Sequence, residues 1–97
     1  MPKFLTLVNF TEQGIKNFKD TTKRADAFVK KAKEAGVTVN NILWTVGAYD
    51  GAILFDAPDE QTAAGLLVSL AAQGNVRTQT LRAFDREEIS AVAAKSK

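Results

Sequence analysis

Along the chain, apolar residues fall into short unbroken runs, spaced stripes and one alternating stretch. Phe4-Leu5-Thr6-Leu7-Val8 is nearly all apolar and reads as a strand covered on both faces, since a half-solvated strand alternates. Asn9-Phe10-Thr11 ends it. Thr11 is placed to cap a helical turn at Glu12-Gln13-Gly14, with Ile15 and Phe18 on one helical face. A second helix starts among Asp20, Thr21 and Thr22 and runs to Ala35. Its stripe is Ala25, Phe28, Val29, Ala32 and Ala35, and Lys23, Arg24, Lys30, Lys31 and Lys33 fall largely off it. Gly36 is the natural residue just past its end.

Val37 to Val46 reads as a second strand, interrupted at Asn40-Asn41 as by a bulge or bend. Ala52-Ile53-Leu54-Phe55 carries no polar residue and reads as another strand covered on both faces. Gly47 and Gly51 bracket the turn between these strands, so residues 44–55 form a hairpin with Tyr49 and Asp50 at its tip. Past Ala57-Pro58, Asp59 is a good N-cap and Glu60 suits the first helical turn. Ala63, Leu66, Leu67 and Leu70 lie on one face of that helix, and Gly74 closes it. From Val76 to Phe84 the pattern alternates. Val76, Thr78, Thr80, Arg82 and Phe84 take one side, and Arg77, Gln79, Leu81 and Ala83 the other. The polar content predicts an edge strand or a cavity wall. Asp85-Arg86-Glu87-Glu88 is a capping-box pattern. It opens a short helix to about Ala94, with Ile89, Val92 and Ala93 as its docking face and Lys95-Ser96-Lys97 fraying.

The order is β-α-β-β-α-β plus a C-terminal helix, the split βαβ arrangement of an α+β fold with an antiparallel four-stranded sheet. Its first and third strands lie in the middle of the sheet. In this chain the first and third strands are the most apolar, as that position demands.

Composition narrows the chemistry more than the fold. With 97 residues, the chain makes one domain with a thin core that oligomerisation would thicken. It has no cysteine and no histidine, which excludes thiol chemistry, disulfides, zinc-finger sites and histidine-based triads. The missing disulfides fit a cytoplasmic protein. Met1-Pro2-Lys3 runs straight into a strand, so no signal peptide is expected, and no apolar run reaches the length a membrane helix needs. The net charge of +2 is too small to point to nucleic acid. The basic segment from Lys16 to Lys33 reads as a solvated helix face, and Ala52-Ile53-Leu54-Phe55 lacks the aromatic-basic motif of RNA-binding modules. Carboxylates are scattered singly and no glycine-rich phosphate loop is present, so no metal and no cofactor is expected.

Gly47-Ala48-Tyr49-Asp50 resembles the signature of the GYD-domain family, small bacterial and archaeal proteins named for this motif. Residues 6–15, Ala57-Pro58-Asp59-Glu60 and residues 74–84 resemble the same family, so the likeness spans nearly the whole chain. Two departures stand out: Ala48 sits between Gly47 and Tyr49, and Thr21-Thr22 occupies the place of a Ser-Pro. The resemblance implies a ferredoxin-like fold paired into a dimeric α+β barrel, and no established reaction.

Four groups of residues are candidate ligand-binding sites. Tyr49 and Asp50 put a phenol and a carboxylate at the hairpin tip, where they would orient a ligand or share a proton. The competing structural role for Asp50 is to bond backbone groups of the turn, and for Tyr49 to pack over a helix end. Arg77 and Arg82 are separated by an odd number of residues, so they lie on opposite faces of a strand and form no clamp within one chain; one of them would bind an anion or pair with Asp50, and the competing role is that of a salt-bridged or solvated strand arginine. Thr78 and Thr80 share a face with Arg82 and would line a polar cavity there. Trp44 serves either as a ligand-facing aromatic or as core or interface.

Two function classes follow. The first is a homodimer or higher oligomer that binds a small molecule or a protein partner without catalysis. The alternative is a cofactor-independent enzyme, monooxygenase-like or isomerase-like, with Tyr49 and Asp50 as its acid–base pair. Neither involves nucleic acid or a membrane.

Overall fold

The computed structural model of the chain describes residues 1–96. The elements are β1 (Lys3–Phe10), α1 (Glu12–Lys16), a 3-10 turn (Phe18–Asp20), α2 (Thr21–Glu34), β2 (Thr38–Trp44), β3 (Gly51–Asp56), α3 (Glu60–Ala72), β4 (Val76–Ala83) and α4 (Arg86–Lys95). The four strands form one antiparallel sheet in the order β2-β3-β1-β4. The two most apolar strands are central, as their composition predicts, and the polar β4 lies at an edge.

Local chemistry sets most boundaries. The Thr11 hydroxyl accepts from Gly14 N–H at 3.1 Å and caps α1. Asp59 accepts from Thr62 N–H at 2.7 Å and caps α3. Asp85 and Glu88 form the reciprocal capping box of α4 at 2.8 and 3.0 Å. The register of β2 against β3 shifts between Val39 and Asn41, so Asn40 is the extra residue of a bulge. Ile15 and Phe18 do not share one continuous helix. The chain breaks into the 3-10 turn, and Phe18 meets Phe10 edge-to-face at 5.8 Å.

Register assigns each side chain to a face. Phe4, Thr6 and Val8 of β1 stand beside Phe55, Ile53 and Gly51 of β3, and all six are buried. This face is covered by α2, through Phe28 and Ala32, and by α3, through Ala63, Leu66 and Leu67. Phe4 stacks on Phe55 at 5.5 Å, and the Thr6 and Thr80 hydroxyls bond at 2.9 Å, so the buried Thr6 hydroxyl is satisfied.

The opposite face is bare. Leu5 and Leu7 of β1, Ala52 and Leu54 of β3, Leu43 of β2 and Leu81 of β4 lie on it in adjoining positions. Leu43 is 58% and Leu81 50% exposed. The two-sided cover expected for β1 and β3 is met on one side by the chain's own helices α2 and α3, and the other side is left for a cover from outside the chain. The docking face expected for α4 is unmet. Ile89 is 49% and Val92 45% exposed, Ala93 is exposed, and α4 makes only sparse contact with the rest of the fold. Lys95 is still helical and Ser96 N–H donates to Ala93 O; Lys97 lies outside the described residues.

Candidate functional site

The loop between β2 and β3, residues 45–50, is fastened at both ends. Thr45 N–H donates to Asp50 O at 2.9 Å and Asp50 N–H donates to Val8 O at 2.8 Å. The Thr45 hydroxyl donates to Tyr49 O, and Asn9 Nδ2 donates to Ala48 O at 3.0 Å. Gly47 takes a φ of 145°, a region where a Cβ is strained. Gly51 lies so close to β2 that a Cβ would stand 2.9 Å from Leu43 O. The two glycines that bracket the turn thus act through different constraints, one torsional and one steric.

Within this loop, neighbouring residues serve opposite sides of the sheet. The Tyr49 hydroxyl donates to Gln79 Oε1 at 3.2 Å. Gln79 pairs with Leu7 on the bare face, so the phenol lies over that face. Asp50 goes the other way. Its Oδ2 accepts from Phe10 N–H at 2.8 Å, and its side chain lines a pocket on the helix-covered side. Asp50 therefore bonds backbone, but that of the end of β1 rather than of its own turn. The Tyr49 hydroxyl reaches Gln79 and does not line the pocket that Asp50 borders.

The pocket has a volume of about 70 Å³ and lies between α2 and the sheet. Its walls include Val8, Phe10, Phe28, Ile42 and Ile53, and its mouth is flanked by Trp44, which is 45% exposed. The indole Nε1–H donates to the Thr21 hydroxyl at 2.9 Å, tying β2 to the start of α2. Arg24, on the first turns of α2, also lines the pocket. Its guanidinium donates to Asn17 O at 2.8 Å and Gly14 O at 3.3 Å, carbonyls at the end of α1. So two charged groups of opposite sign, Asp50 and Arg24, share a mostly apolar lining. Arg24, Phe10 and Phe28 were not legible as site residues. Arg24 reads as a solvated off-stripe residue, and only the turn between α1 and α2 brings it inward.

The remaining candidates lie elsewhere. Arg77 and Arg82 are on opposite faces of β4, as their odd spacing requires. Arg82 belongs to the helix-side face, where its guanidinium lies over Phe4 at 5.7 Å and Phe84 at 4.5 Å and stands 3.9 Å from Glu88. Thr80 is occupied by its bond to Thr6. Thr78 lines a shallow groove over the β4 edge with Asn9, Arg77 and Gln79. Of the candidates, the structure brings Trp44 and Asp50 into the helix-side pocket and Arg77 and Thr78 into the groove at the β4 edge.

Two carboxyls have displaced titrations. Asp56 is held below its ordinary value by a hydrogen bond from Asn40 and another from Lys3, whose Nζ is 2.9 Å away. The same contact raises Lys3, and the bond from Thr62 N–H lowers Asp59. These are structural contacts at the sheet end and a helix cap. Among the described residues no group of three or more potential ligands is placed to hold a metal ion, and no helix is long and apolar enough to cross a membrane.

Neither a curated protein nor a solved structure gives a match to this chain. A family model of the GYD domain matches residues 4–93. That span begins in β1, ends in α4 and contains the fastened Gly-Ala-Tyr-Asp loop, so the motif, the antiparallel α+β layout and the family model coincide. The chain belongs to the GYD-domain family.

Proposed function

We propose that the protein is a cytoplasmic homodimer in which two sheets pack face to face as an α+β barrel, and that it binds a small molecule without a catalytic step of its own. The observation that carries this reading is the bare sheet face, with six adjoining apolar side chains and, among the described residues, the buried helical residues of α2 and α3 all on the other side. Contiguous apolar surface of this kind is uncommon on a protein that works as a monomer. Polar groups border the apolar centre of the face: the Lys3–Asp56 ion pair at one end, Asn9, Arg77 and Gln79 at the other. A second copy related by a twofold axis offers the same apolar centre and closes the assembly at two.

The helix-side pocket supports the ligand-binding part. It stays within one protomer and away from the mating face, so pairing leaves it open. Binding is favoured over acid–base catalysis by Tyr49 and Asp50 because their polar ends serve opposite sides of the sheet.

Leu54→Glu tests the dimer. Leu54 lies on the bare face in central strand β3, outside the buried core. Native mass spectrometry and light scattering are expected to give twice the chain mass for the unchanged protein and a single chain mass for the variant. By mass action, the melting temperature of the unchanged protein rises with concentration, and that of the variant does not. A single chain mass for the unchanged protein at tens of micromolar would overturn the proposal.

A further inference from the structure

The lining of the helix-side pocket narrows the chemistry of what enters it. This inference rests on the ligand-binding reading above and deepens it. Three features matter. First, the walls are apolar and partly aromatic, with Phe10, Phe28 and Trp44 among them. Second, the lining holds one carboxylate and one guanidinium. A ligand of either charge gains one attraction and one repulsion, whereas a neutral ligand incurs neither and loses less hydration on entry. Third, the hydrogen-bonding groups are unequally occupied. Trp44 Nε1–H is committed to Thr21, and the Arg24 guanidinium is committed to two backbone carbonyls. Asp50 Oδ2 is committed to Phe10 N–H, but Oδ1 has no protein partner among the described residues. The Gln73 and Asn75 amides also border the pocket, but the charged acceptor left for a ligand is a carboxylate oxygen, and an O–H donor satisfies it with a charge-assisted bond.

Size sets a further limit. The cavity of about 70 Å³ is smaller than the roughly 150 Å³ apolar cavity known to take benzene. A single ring therefore enters only with part of its edge in the mouth beside Trp44.

We infer that the pocket binds a small neutral molecule with an apolar body and one hydroxyl group, of the phenol type, whose O–H donates to Asp50 Oδ1. The apolar body fills the space between Phe10, Phe28 and Ile42, and the far edge of the ring meets the Trp44 indole.

Trp44 is the single tryptophan of the chain, so its fluorescence reports on this pocket and no other. The intact protein is titrated with para-cresol, toluene, benzoate and benzylamine, which share a ring and differ in donor and charge. The expected result is a saturable change in Trp44 emission with para-cresol, at about tenfold lower concentration than with toluene, the advantage of one hydrogen bond to a charged group. In Asp50→Asn, the amide oxygen still accepts from Phe10 N–H while an NH2 replaces the free oxygen, and the preference for para-cresol over toluene disappears. Ala25→Leu fills the pocket from α2 without touching Asp50, and the response to every probe is lost with the circular dichroism spectrum unchanged. Equal or tighter binding of toluene, benzoate or benzylamine overturns the inference, as does the absence of any saturable change. The mass of the same sample separates this outcome from the dimer. A dimer that ignores all four probes overturns the pocket chemistry alone, and a monomer that prefers para-cresol overturns the paired sheets alone.

Discussion

A Cβ built on Gly14 would stand 2.0 Å from the carbonyl oxygen of Asn75, which places α1 directly against the loop before β4. The neighbouring bonds show why the approach is so close. Thr11 N–H donates to Asn75 O at 3.0 Å, the Thr11 hydroxyl donates to Gly74 O at 2.6 Å, and Gln13 Nε2 reaches Gln73 O and Asn75 Oδ1. Gly14→Ala must push this backbone apart, at a cost of about 1–3 kcal/mol or more, as for other overpacked sites. A urea titration is expected to show an earlier midpoint with an unchanged slope. The sequence gives no warning of this position, because the constraint comes from a residue far along the chain. The Lys3–Asp56 pair permits a second residue-scale prediction. Asp56 titrates below its ordinary 3.8 in the folded chain, so its contribution is complete above that pH and disappears as pH falls through the lowered value. Lys3 titrates above its ordinary 10.5, so its contribution is complete below that pH and disappears as pH rises through the raised value. Asp56→Asn is therefore expected to flatten the acid side of the stability–pH curve below about pH 4 and leave its shape between pH 5 and 8 unchanged. Melting temperatures across pH measure this. Asp50 shows how far a residue's role can be read in advance. A turn aspartate bonded to backbone is a common pattern, but its partner proves to be Phe10 N–H, across a strand pairing that sequence spacing does not encode.

α4 is the element least tied to the rest. Its start is well defined by the Asp85–Glu88 capping box, and Arg82 stands within ion-pair distance of Glu88, but Ile89 and Val92 stay about half exposed. Asp85→Ala removes an N-cap worth about 1 kcal/mol. Because α4 is loosely coupled, that loss is expected to appear as faster amide exchange within residues 86–95, with little change in the global melting temperature. A large drop in melting temperature would mean that α4 is docked more firmly than its exposure indicates. Elements as such were well legible. The capped starts of α3 and α4, the bulge at Asn40-Asn41 and the central places of β1 and β3 all follow from local residue chemistry and patterning. What covers an apolar face was not legible. Leu5, Leu7 and Leu54 alternate with buried residues along their strands, and an apolar side chain looks the same in sequence whether a helix or another chain covers it. The same ambiguity explains Ile89 and Val92.

At the scale of the whole molecule, one layer of helices lies on a single sheet, and the other side of the sheet is left as an apolar floor. The hairpin loop joins the two sides: Tyr49 reaches over the floor and Asp50 turns into the pocket, with Thr45, Asn9 and Val8 holding the loop between them. The pocket residues could not be assembled from the sequence, because they come from all four strands, α2, α3 and the loop, and only the completed sheet and its packed helices bring them together. The proposed pairing, floor to floor, would add a second wall of side chains on the side opposite the pocket. An antiparallel sheet also has two outer strands whose unpaired backbone groups invite another strand, the route by which soluble proteins grow into fibrils. Here the outer strand β2 is broken by the extra residue Asn40, whose amide donates to Asp56 Oδ2 at 3.0 Å and holds the irregularity in place. The other outer strand carries Arg77, Gln79 and Arg82. A bulge spoils the even spacing that an incoming strand must match, and charged side chains discourage its approach. Growth along the hydrogen-bonding direction is thereby obstructed at both margins while contact through the floor stays free, so the fold favours an assembly that stops over one that elongates.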